Sequence, residues 1–433
     1  MQKSFIFQTQ AWMTAGLGAM LLAACSSDEP KSPTTFEPYV EMSLTDEELA
    51  VANSQTGVSI DMYKAADDLY GADKSNFVFS PLSATRDAAV LVNGALGESR
   101  SRLMSALGFS GKETLADMNT FYAKLKQHLE TADSRSTVKM SSSFWGAEKP
   151  LKDFEDLVAG NYGTTFGLLT ADTESNKNAI NKWVEDATAG LMKDYLTQGS
   201  SGEEIKVLDA LYFNATWGTR PEEGGGKGRF YNHDGRTSKV NQFKFFSAHE
   251  LVEDNLMAVR TYYGNGAYAI TFVLPDPGYK PSDAIASLSA EKWGEWQKVF
   301  AALDKYDYDQ LYSESGLKYV NDFMYDCELI VPEWTVESKL DIRPIYETVG
   351  LGEIFDGKAD LSGIYGSKAI FNQASQTLKF KTDVNGTVAV AVTEISGDIA
   401  VLSPIVEIDH PFAYIISESR SGVILFAGVV NQL

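Results

Sequence analysis

The sequence of 433 residues predicts an α+β fold in one large domain, and three observations support it. Apolar residues recur at helical spacing in the first part of the chain, over 82–107, 113–131, 151–160 and 176–196. Strand patterns dominate later, over 205–217, 229–246, 267–274, 325–337, 376–393 and 405–430. No repeat and no Pro/Gly/Ser-rich linker interrupts the chain after residue 44, so we predict helices packed on a large, mainly antiparallel sheet over 44–433.

The N-terminus predicts export. Lys3 precedes an apolar run over 11–24 that is short for a bilayer span and typical of a signal-peptide core. The run ends in Leu-Ala-Ala-Cys-Ser, which resembles a bacterial lipobox, so we expect a signal peptide over 1–24 and a lipid on Cys25. The alternative is an uncleaved membrane anchor. Ser26, where some inner-membrane lipoproteins have aspartate, favours the outer membrane or cell surface of a Gram-negative bacterium.

Residues 25–43 are rich in Ser, Pro and acidic residues and predict a tether between the lipid and the domain. Thr45 and Glu48 then have the spacing of a capping box, which begins a helix that runs to Leu69 and Tyr70. If Cys25 is lipidated, Cys327 has no cysteine partner. Cys327 lies in a strand-like run and is expected to be a buried structural residue.

Charge and motifs exclude several function classes. The net charge is −22 and the chain has no basic run, which argues against nucleic acid or an anionic membrane surface as a partner. We therefore expect the lipid to be the only part of the protein that binds the membrane. The chain has four histidines and no G-x-S-x-G or H-E-x-x-H motif. We therefore expect no catalytic residues, no metal, no cofactor and no enzymatic activity.

The segment after Asn385 alternates in a way that suits both a loop and a strand. Thr387, Ala389, Ala391 and Thr393 fall on one face, and three valines fall on the other. Past residue 393 the pattern changes to residues typical of an exposed loop. By itself the segment could be an edge strand that ends in a loop, or a loop that can become a strand.

Blocks spread over the chain resemble the serpin family in order and spacing. They are 76–83 (NFVFSPLS), 94–97, 181–190, 208–217, 355–364, 410–412 and 422–431. The resemblance implies the serpin fold in a monomer, with an exposed reactive loop at about 386–405. A target protease attacks the loop of such proteins and is trapped as an acyl-enzyme when the cleaved loop inserts into the central sheet. The hinge, which is the start of the loop and would enter the sheet first, would comprise Gly386, Thr387, Ala389, Ala391 and Thr393.

The resemblance also assigns residues where the sheet would open. Ser80 and Ser83 lie in the first block, and Trp217 stands where the family keeps a tryptophan at the point of loop entry. Asp209 and Gln376 replace the usual asparagine and histidine. Gln376 can still bridge strands by hydrogen bonds, whereas Asp209 needs an ion pair or burial as a neutral acid.

Two family spacings place the scissile bond. In the family, the residue before the scissile bond, here called the bait residue, lies fourteen residues after the hinge glycine and eleven before the proline of the Pro-Phe pair. Counted from Gly386 and from Pro411, both spacings give Ala400. The bond would be Ala400–Val401, with Ile399 or Val401 as alternative bait residues. A single methyl group suits a small specificity pocket, which favours elastase-like serine proteases. Papain-like cysteine proteases remain a second class of target.

Two other functions fit the sequence. A non-inhibitory serpin could act as a ligand carrier or folding factor, although bulky or charged residues on the inward hinge face would have supported it and are absent from 387–393. An unrelated cell-surface hydrolase or glycan-binding lipoprotein would instead carry clustered catalytic groups, for which the sequence offers no candidate.

Overall fold

In the computed structural model, residues 39–71, 75–111, 113–304, 326–387 and 404–433 are described, and their strands form two sheets. The first half contributes β1 (Phe77–Phe79), β2 (Ser136–Gly146), β3 (Thr164–Leu168) and β4 (Lys206–Thr216). The middle contributes β5 (Glu222–Tyr231), β6 (Thr237–Glu253), β7 (Leu256–Tyr263) and β8 (Tyr268–Pro275). The last part contributes β9 (Asp326–Pro332), β10 (Trp334–Asp341), β11 (Ser375–Asp383), β12 (Gly386–Thr387), β13 (Ile405–Glu407), β14 (Phe412–Glu418) and β15 (Ile424–Val430).

The helices follow the same chain order. They are α1 (Asp46–Ala66), α2 (Pro81–Asn93), α3 (Gly97–Ala106), α4 (Leu115–Thr131), α5 (Lys152–Tyr162), α6 (Thr173–Ala187), α7 (Pro281–Ala286), α8 (Ala290–Asp304) and α9 (Arg343–Thr348). The predicted capping box is confirmed at the start of α1. The Thr45 hydroxyl accepts from the Glu48 amide at 3.2 Å, and the Glu48 carboxylate accepts from the Thr45 amide at 2.9 Å.

The larger sheet has nine strands in the order β1-β15-β14-β8-β7-β6-β9-β13, with β5 paired to β6. The smaller sheet has six, in the order β10-β11-β12-β4-β2-β3. The β2–β3 and β13–β9 pairs are parallel and the other named pairs are antiparallel, so the α+β prediction with a mainly antiparallel sheet is confirmed. Among the described residues, no helix is both long and apolar enough to cross a membrane.

Several predicted boundaries are wrong for local reasons. The helix predicted over 82–107 is two helices, with the break just before Gly97, whose φ of +54° is left-handed. The helix predicted over 176–196 ends at Ala187, since Ala189 and Gly190 have φ values of +52° and +81°. The strand predicted over 229–246 is the β5–β6 hairpin, which turns at Gly235. The sequence patterns also missed the strands β1, β2, β3 and β7 and the helices α7, α8 and α9.

The last residues of the predicted tether contact the domain. Tyr39 and Met42 pack against the hydrophobic core, as does Leu44. The Tyr39 hydroxyl donates a hydrogen bond to the buried carboxylate of Glu418 at the end of β14. Cys327 is fully buried in β9, as its strand-like surroundings predict.

Candidate functional site

The six-stranded sheet is interrupted between β4 and β11. At one end the two-residue strand β12 fills the space, with Thr387 opposite Ala215 of β4 and opposite Thr382 of β11. Beyond Thr387 no pairing between β4 and β11 is present among the described residues. A cavity of about 70 Å³ occupies this place and is lined by both strands, by α2 and by the segment around α6. We call this opening the gap.

We call the end of the gap that β12 fills its upper end, and the opposite end its lower end. Side chains around Thr387 stabilise the upper end. Thr387 is 1% exposed, and its hydroxyl lies 2.8 Å from the Tyr263 hydroxyl and 3.3 Å from that of Thr382. Trp217 stacks on Tyr263 with ring centroids 4.5 Å apart and donates its indole N–H to the carbonyl of Asp383 at 2.9 Å. Through these contacts, Trp217 and Tyr263 connect the ends of β4, β7 and β11 with the first residues of the predicted hinge.

Gly386 is the residue that allows β12 to enter between its neighbours. Its φ of +134° is rarely adopted by residues with a side chain, and an added Cβ would lie 2.2 Å from the carbonyl oxygen of Ala215. The asparagine before it makes a tight turn, in which the Asn385 amide donates to the Asp383 side chain at 2.8 Å. The close approach of β12 to β4 thus requires glycine at this position.

Gly386→Ala should displace β12 from β4 and lower the free energy of unfolding. A strained backbone conformation costs about 1–3 kcal/mol, and the clash with Ala215 adds to that strain. Urea denaturation of the purified domain measures the loss. Gly235→Ala is the matched control, because Gly235 has a φ of +83° but nothing within 4 Å of its added Cβ. An equal loss in the two variants would contradict the steric role of Gly386.

Ser80 joins three elements at the lower end of the gap. Its amide donates to Gln376 Oε1 at 2.7 Å, and Gln376 Nε2 donates to the Ser80 carbonyl at 3.0 Å. The Ser80 hydroxyl donates to the Leu425 carbonyl at 2.7 Å and accepts from the Ser83 amide at 3.2 Å, which caps α2. Gln376 therefore bridges β11 to Ser80, the residue that joins the end of β1 to the start of α2.

Asp209 meets its predicted requirement by pairing with Arg86. The Arg86 guanidinium forms an ion pair with Asp209, and the two side chains are each 1% exposed. Arg86 Nη2 also donates to the Tyr162 carbonyl at 3.2 Å. Burial raises the pKa of Asp209 despite the opposing effect of Arg86. Asp87, the next residue of α2, lines the same cavity and has a pKa raised by burial and by Asp209.

The structure brings seven predicted site residues to one gap. Gly386, Thr387 and Trp217 lie at its upper end, and Ser80, Ser83, Asp209 and Gln376 lie along its lower part. The predicted residues Ala389, Ala391, Thr393, Ala400, Val401 and Cys25 lie outside the described residues.

Sequence reasoning missed Arg86, Asp87 and Tyr263. An adjacent Arg-Asp pair inside the otherwise uncharged helix α2 was the available signal for the first two. Nothing in the sequence around Tyr263 indicated its contact with Thr387. Over the described ranges, no group of three or more His, Cys, Asp or Glu side chains could hold a metal ion.

Comparison with known proteins places this geometry in a family. A family model described as "Serpin (serine protease inhibitor)" matches residues 53–433. Serine protease inhibitor A3K of Mus musculus is 26% identical over 448 residues, covering 99% of this chain and 99% of the relative. The leukocyte elastase inhibitor of Sus scrofa is 24% identical, covering 89% of this chain and 100% of the relative.

Solved structures share the fold. The thermophilic serpin tengpin in its native state matches with a TM-score of 0.75 and 22% identity, covering 92% of this chain and 97% of tengpin. Human thyroxine-binding globulin in complex with its ligand matches with a TM-score of 0.73 and 20% identity, covering 89% of this chain and 99% of the globulin. At these identities the likeness concerns the fold alone.

Proposed function

The chain belongs to the serpin family, and from this premise we propose that it inhibits a protease by inserting its cleaved reactive loop into the gap between β4 and β11. The protease would attack the loop, form an acyl-enzyme and be carried along the sheet before water completes hydrolysis. The protein would supply no catalytic group of its own. The observation that supports this most strongly is β12, a strand that has already entered the gap by two residues.

The register of β12 predicts where an inserted loop would lie. Continuing both ladders places residue 393 opposite Asp209 on β4 and opposite Gln376 on β11. Residues 389, 391 and 393 would then share the buried face of Thr387, and these are alanine, alanine and threonine. Small side chains avoid overpacking, which costs about 1–3 kcal/mol for each misfit.

The outer face of the gap accepts larger side chains. Leu208 of β4 packs against a small apolar cluster that includes Ile180 and Val184 of α6. Trp183, Met192 and Tyr195 pack against the same cluster. By the same register, Val388, Val390 and Val392 would fall on this apolar side of the sheet. Burying a valine fully contributes about 1.5–3 kcal/mol. Backbone pairing contributes about 1 kcal/mol for each hydrogen bond and is largely offset by ordering of the chain, so side-chain burial would drive insertion.

The target is proposed from the bait residue. Ala400 presents one methyl group to a protease, which suits the small specificity pocket of elastase-like serine proteases. Two relatives support a serine protease as target through their names, the A3K inhibitor of mouse and the leukocyte elastase inhibitor of pig. Inhibition of papain-like cysteine proteases is the second proposal for the target class.

Incubation of the purified domain with an elastase tests the function. We expect a covalent complex that survives boiling in detergent, and a released C-terminal peptide that begins at Val401. A protease whose catalytic serine is replaced by alanine is the control, because it binds the loop without forming an acyl-enzyme and should give no such complex. Cleavage without a complex, with elastase and with a papain-like enzyme, would favour a non-inhibitory carrier or folding factor.

We also propose that the protein is an exported lipoprotein, displayed at the outer membrane or cell surface through a lipid on Cys25. The lipobox-like ending of the apolar run supports this attachment. Cys25→Ala should abolish lipid attachment and processing, since the lipobox-like segment then carries no thiol to be modified. Metabolic labelling with a radioactive fatty acid should mark the wild type and not the variant. Cys327→Ala, which removes the buried cysteine, should keep the label. Equal labelling of Cys25→Ala and wild type would overturn the lipoprotein proposal.

A further inference from the structure

Three charged side chains lie together beneath the gap. Arg86 and Asp87 belong to α2, and Asp209 belongs to β4. Arg86 pairs with Asp209, whereas Asp87 forms no ion pair within the described part of the chain. Two carboxyl groups therefore share a single cation. We call these three residues the Asp87–Arg86–Asp209 cluster.

The cluster is shielded from water in the structure, in which β4 and β11 together line the cavity, and we call this arrangement the closed state of the sheet. Oδ1 of Asp87 and Oδ1 of Asp209 are both buried and lack a hydrogen bond of normal geometry among the residues that the structure describes, while the nearby Ser83 hydroxyl acts to lower the pKa of Asp209. A buried carboxylate without such partners is strongly disfavoured in its charged form. Burial is accordingly the main cause that raises the pKa of each group, and for Asp87 the charge of Asp209 adds to it. The cluster therefore retains a proton in the pH range where an exposed aspartate has lost it.

Other ionisable groups face the cluster from the elements packed around it. They are Lys126 and Tyr122 of α4, Tyr162 of α5, Tyr346 of α9 and Tyr195 after α6. Burial raises the pKa of each of these tyrosines, so they stay neutral around neutral pH. Lys126 is paired with Glu130. The two aspartates are thus the groups of this set whose protonation changes as an acidic solution becomes neutral.

We propose that the Asp87–Arg86–Asp209 cluster links the opening of the gap to proton release, so that acid keeps the sheet closed and rising pH favours its opening. Asp87 and Asp209 both line the cavity between β4 and β11. When the strands separate, water enters at these carboxyl groups and replaces the missing hydrogen bonds. The ionised forms are then stabilised, and the proton leaves. This linkage depends on the closed sheet alone and holds whether or not the loop traps a protease.

The direction of the pH dependence follows from the thermodynamic linkage between proton binding and opening of the gap. A carboxyl group whose pKa is raised in the closed state binds more protons there than in the open state. The closed state is therefore fully favoured below the ordinary pKa of an aspartate, and it loses this advantage as the pH rises toward the raised value. Release of one proton changes the opening equilibrium by at most about tenfold for each pH unit.

Hydrogen exchange of the backbone amides of β4 and β11 reports this opening, because water that enters the gap exposes amides shielded there and loosens the outer pairing of these strands with β2 and β10. The wild-type protein is examined between about pH 5 and about pH 8, where an ordinary aspartate is already ionised, and rates are corrected for the intrinsic pH dependence of amide exchange. Protection of the β4 amides 208–213 and the β11 amides 377–380 should fall as pH rises, by up to about tenfold for each unit. Amides of β14 at 414–416, in the other sheet, serve as the internal reference and should not follow this change.

Two variants each remove one of the two carboxyl groups of the cluster, one on α2 and the other on β4. In Asp87→Asn the remaining Asp209 pairs with Arg86, and in Asp209→Asn the cation is left to Asp87. One carboxyl group then balances one guanidinium, so both variants should lose the pH dependence of protection in the gap. Asp67→Asn is the matched control, since burial raises the pKa of Asp67 to about 6 at the end of α1, where it does not line the cavity. This variant should retain the wild-type dependence.

The experiment has clear contrary outcomes. Flat or rising protection of the gap amides in the wild type, as pH increases, would overturn the proposal without any variant. A pH dependence that persists in both cluster variants, or that disappears in Asp67→Asn, would assign the proton to another group. If one cluster variant fails to fold, the other variant and the wild-type profile still decide the matter.

Discussion

Thr387→Arg should convert the protein from an inhibitor into a substrate. Thr387 is 1% exposed, and its hydroxyl contacts Tyr263 and Thr382 at the upper end of the gap. An arginine there places an unpaired charge among buried groups, with a penalty of about 3–5 kcal/mol. Because Thr387 already lies in the sheet, the arginine should expel β12 before cleavage, and insertion would then have to bury the charge again. A barrier raised by about 4 kcal/mol slows insertion by roughly a thousandfold, so hydrolysis of the acyl-enzyme would finish first. On a denaturing gel, the covalent complex should disappear while the cleaved form accumulates.

Thr387→Ser is the matched control, because it keeps the hydroxyl and adds neither bulk nor charge. It should retain most of the complex. A thermal scan gives an independent measurement, since under the proposed mechanism the cleaved wild type should gain stability as its loop inserts and cleaved Thr387→Arg should not. Wild-type complex yield in the arginine variant would show that position 387 does not enter the sheet ahead of the loop.

Ala400→Arg should redirect inhibition from elastase-like to trypsin-like proteases. Trypsin-like enzymes hold an acidic group at the bottom of the pocket for the bait side chain, which pairs with arginine, whereas a small pocket excludes it. A change of about 3 kcal/mol in each direction corresponds to more than a hundredfold in association rate constant, lower for elastase and higher for trypsin. Rates of complex formation with the two enzymes, measured under the same conditions, check this expectation.

Mass spectrometry of the released peptide adds a check on the position of the bond. With trypsin and the Ala400→Arg variant, the peptide should still begin at Val401. Ile399→Arg is the control, because it introduces the same side chain one residue earlier and should not give inhibition of trypsin at the same rate. A peptide that begins elsewhere, or equal inhibition by the two variants, would show that Ala400 is not the bait residue.

Much of the fold could be predicted because its signals are local. The capping box at Thr45 and Glu48 fixes the start of α1, and alternation identifies both ends of β4 and the start of β11 to within one residue. Errors fall where a single backbone conformation interrupts a continuing pattern. Gly235, with its φ of +83°, turns the chain between two strands that were predicted as one. The Asp234-Gly235 pair is a local hairpin signal and could have divided them.

The site was less predictable because its contacts are distant in the chain. Arg86 and Asp209 are 123 residues apart, and Tyr263 meets Thr387 across 124 residues. No periodicity relates such positions. The need of Asp209 for a partner could be inferred from the energetic cost of burying a lone charge, but its identity could not. Arg86 pairs with it because α2 lies beneath β4, and that is a property of the assembled layers.

The short strand β12 gives insertion a preformed nucleus. When a strand enters between two others, most chain entropy is lost in aligning the first pairs, before many hydrogen bonds can form. Here the first pairs already exist on both sides, and the tight turn at Asn385 fixes their register. Later residues need only extend two ladders in step. The rate of such an insertion would therefore be set by how quickly β4 and β11 separate, and not by a search for alignment.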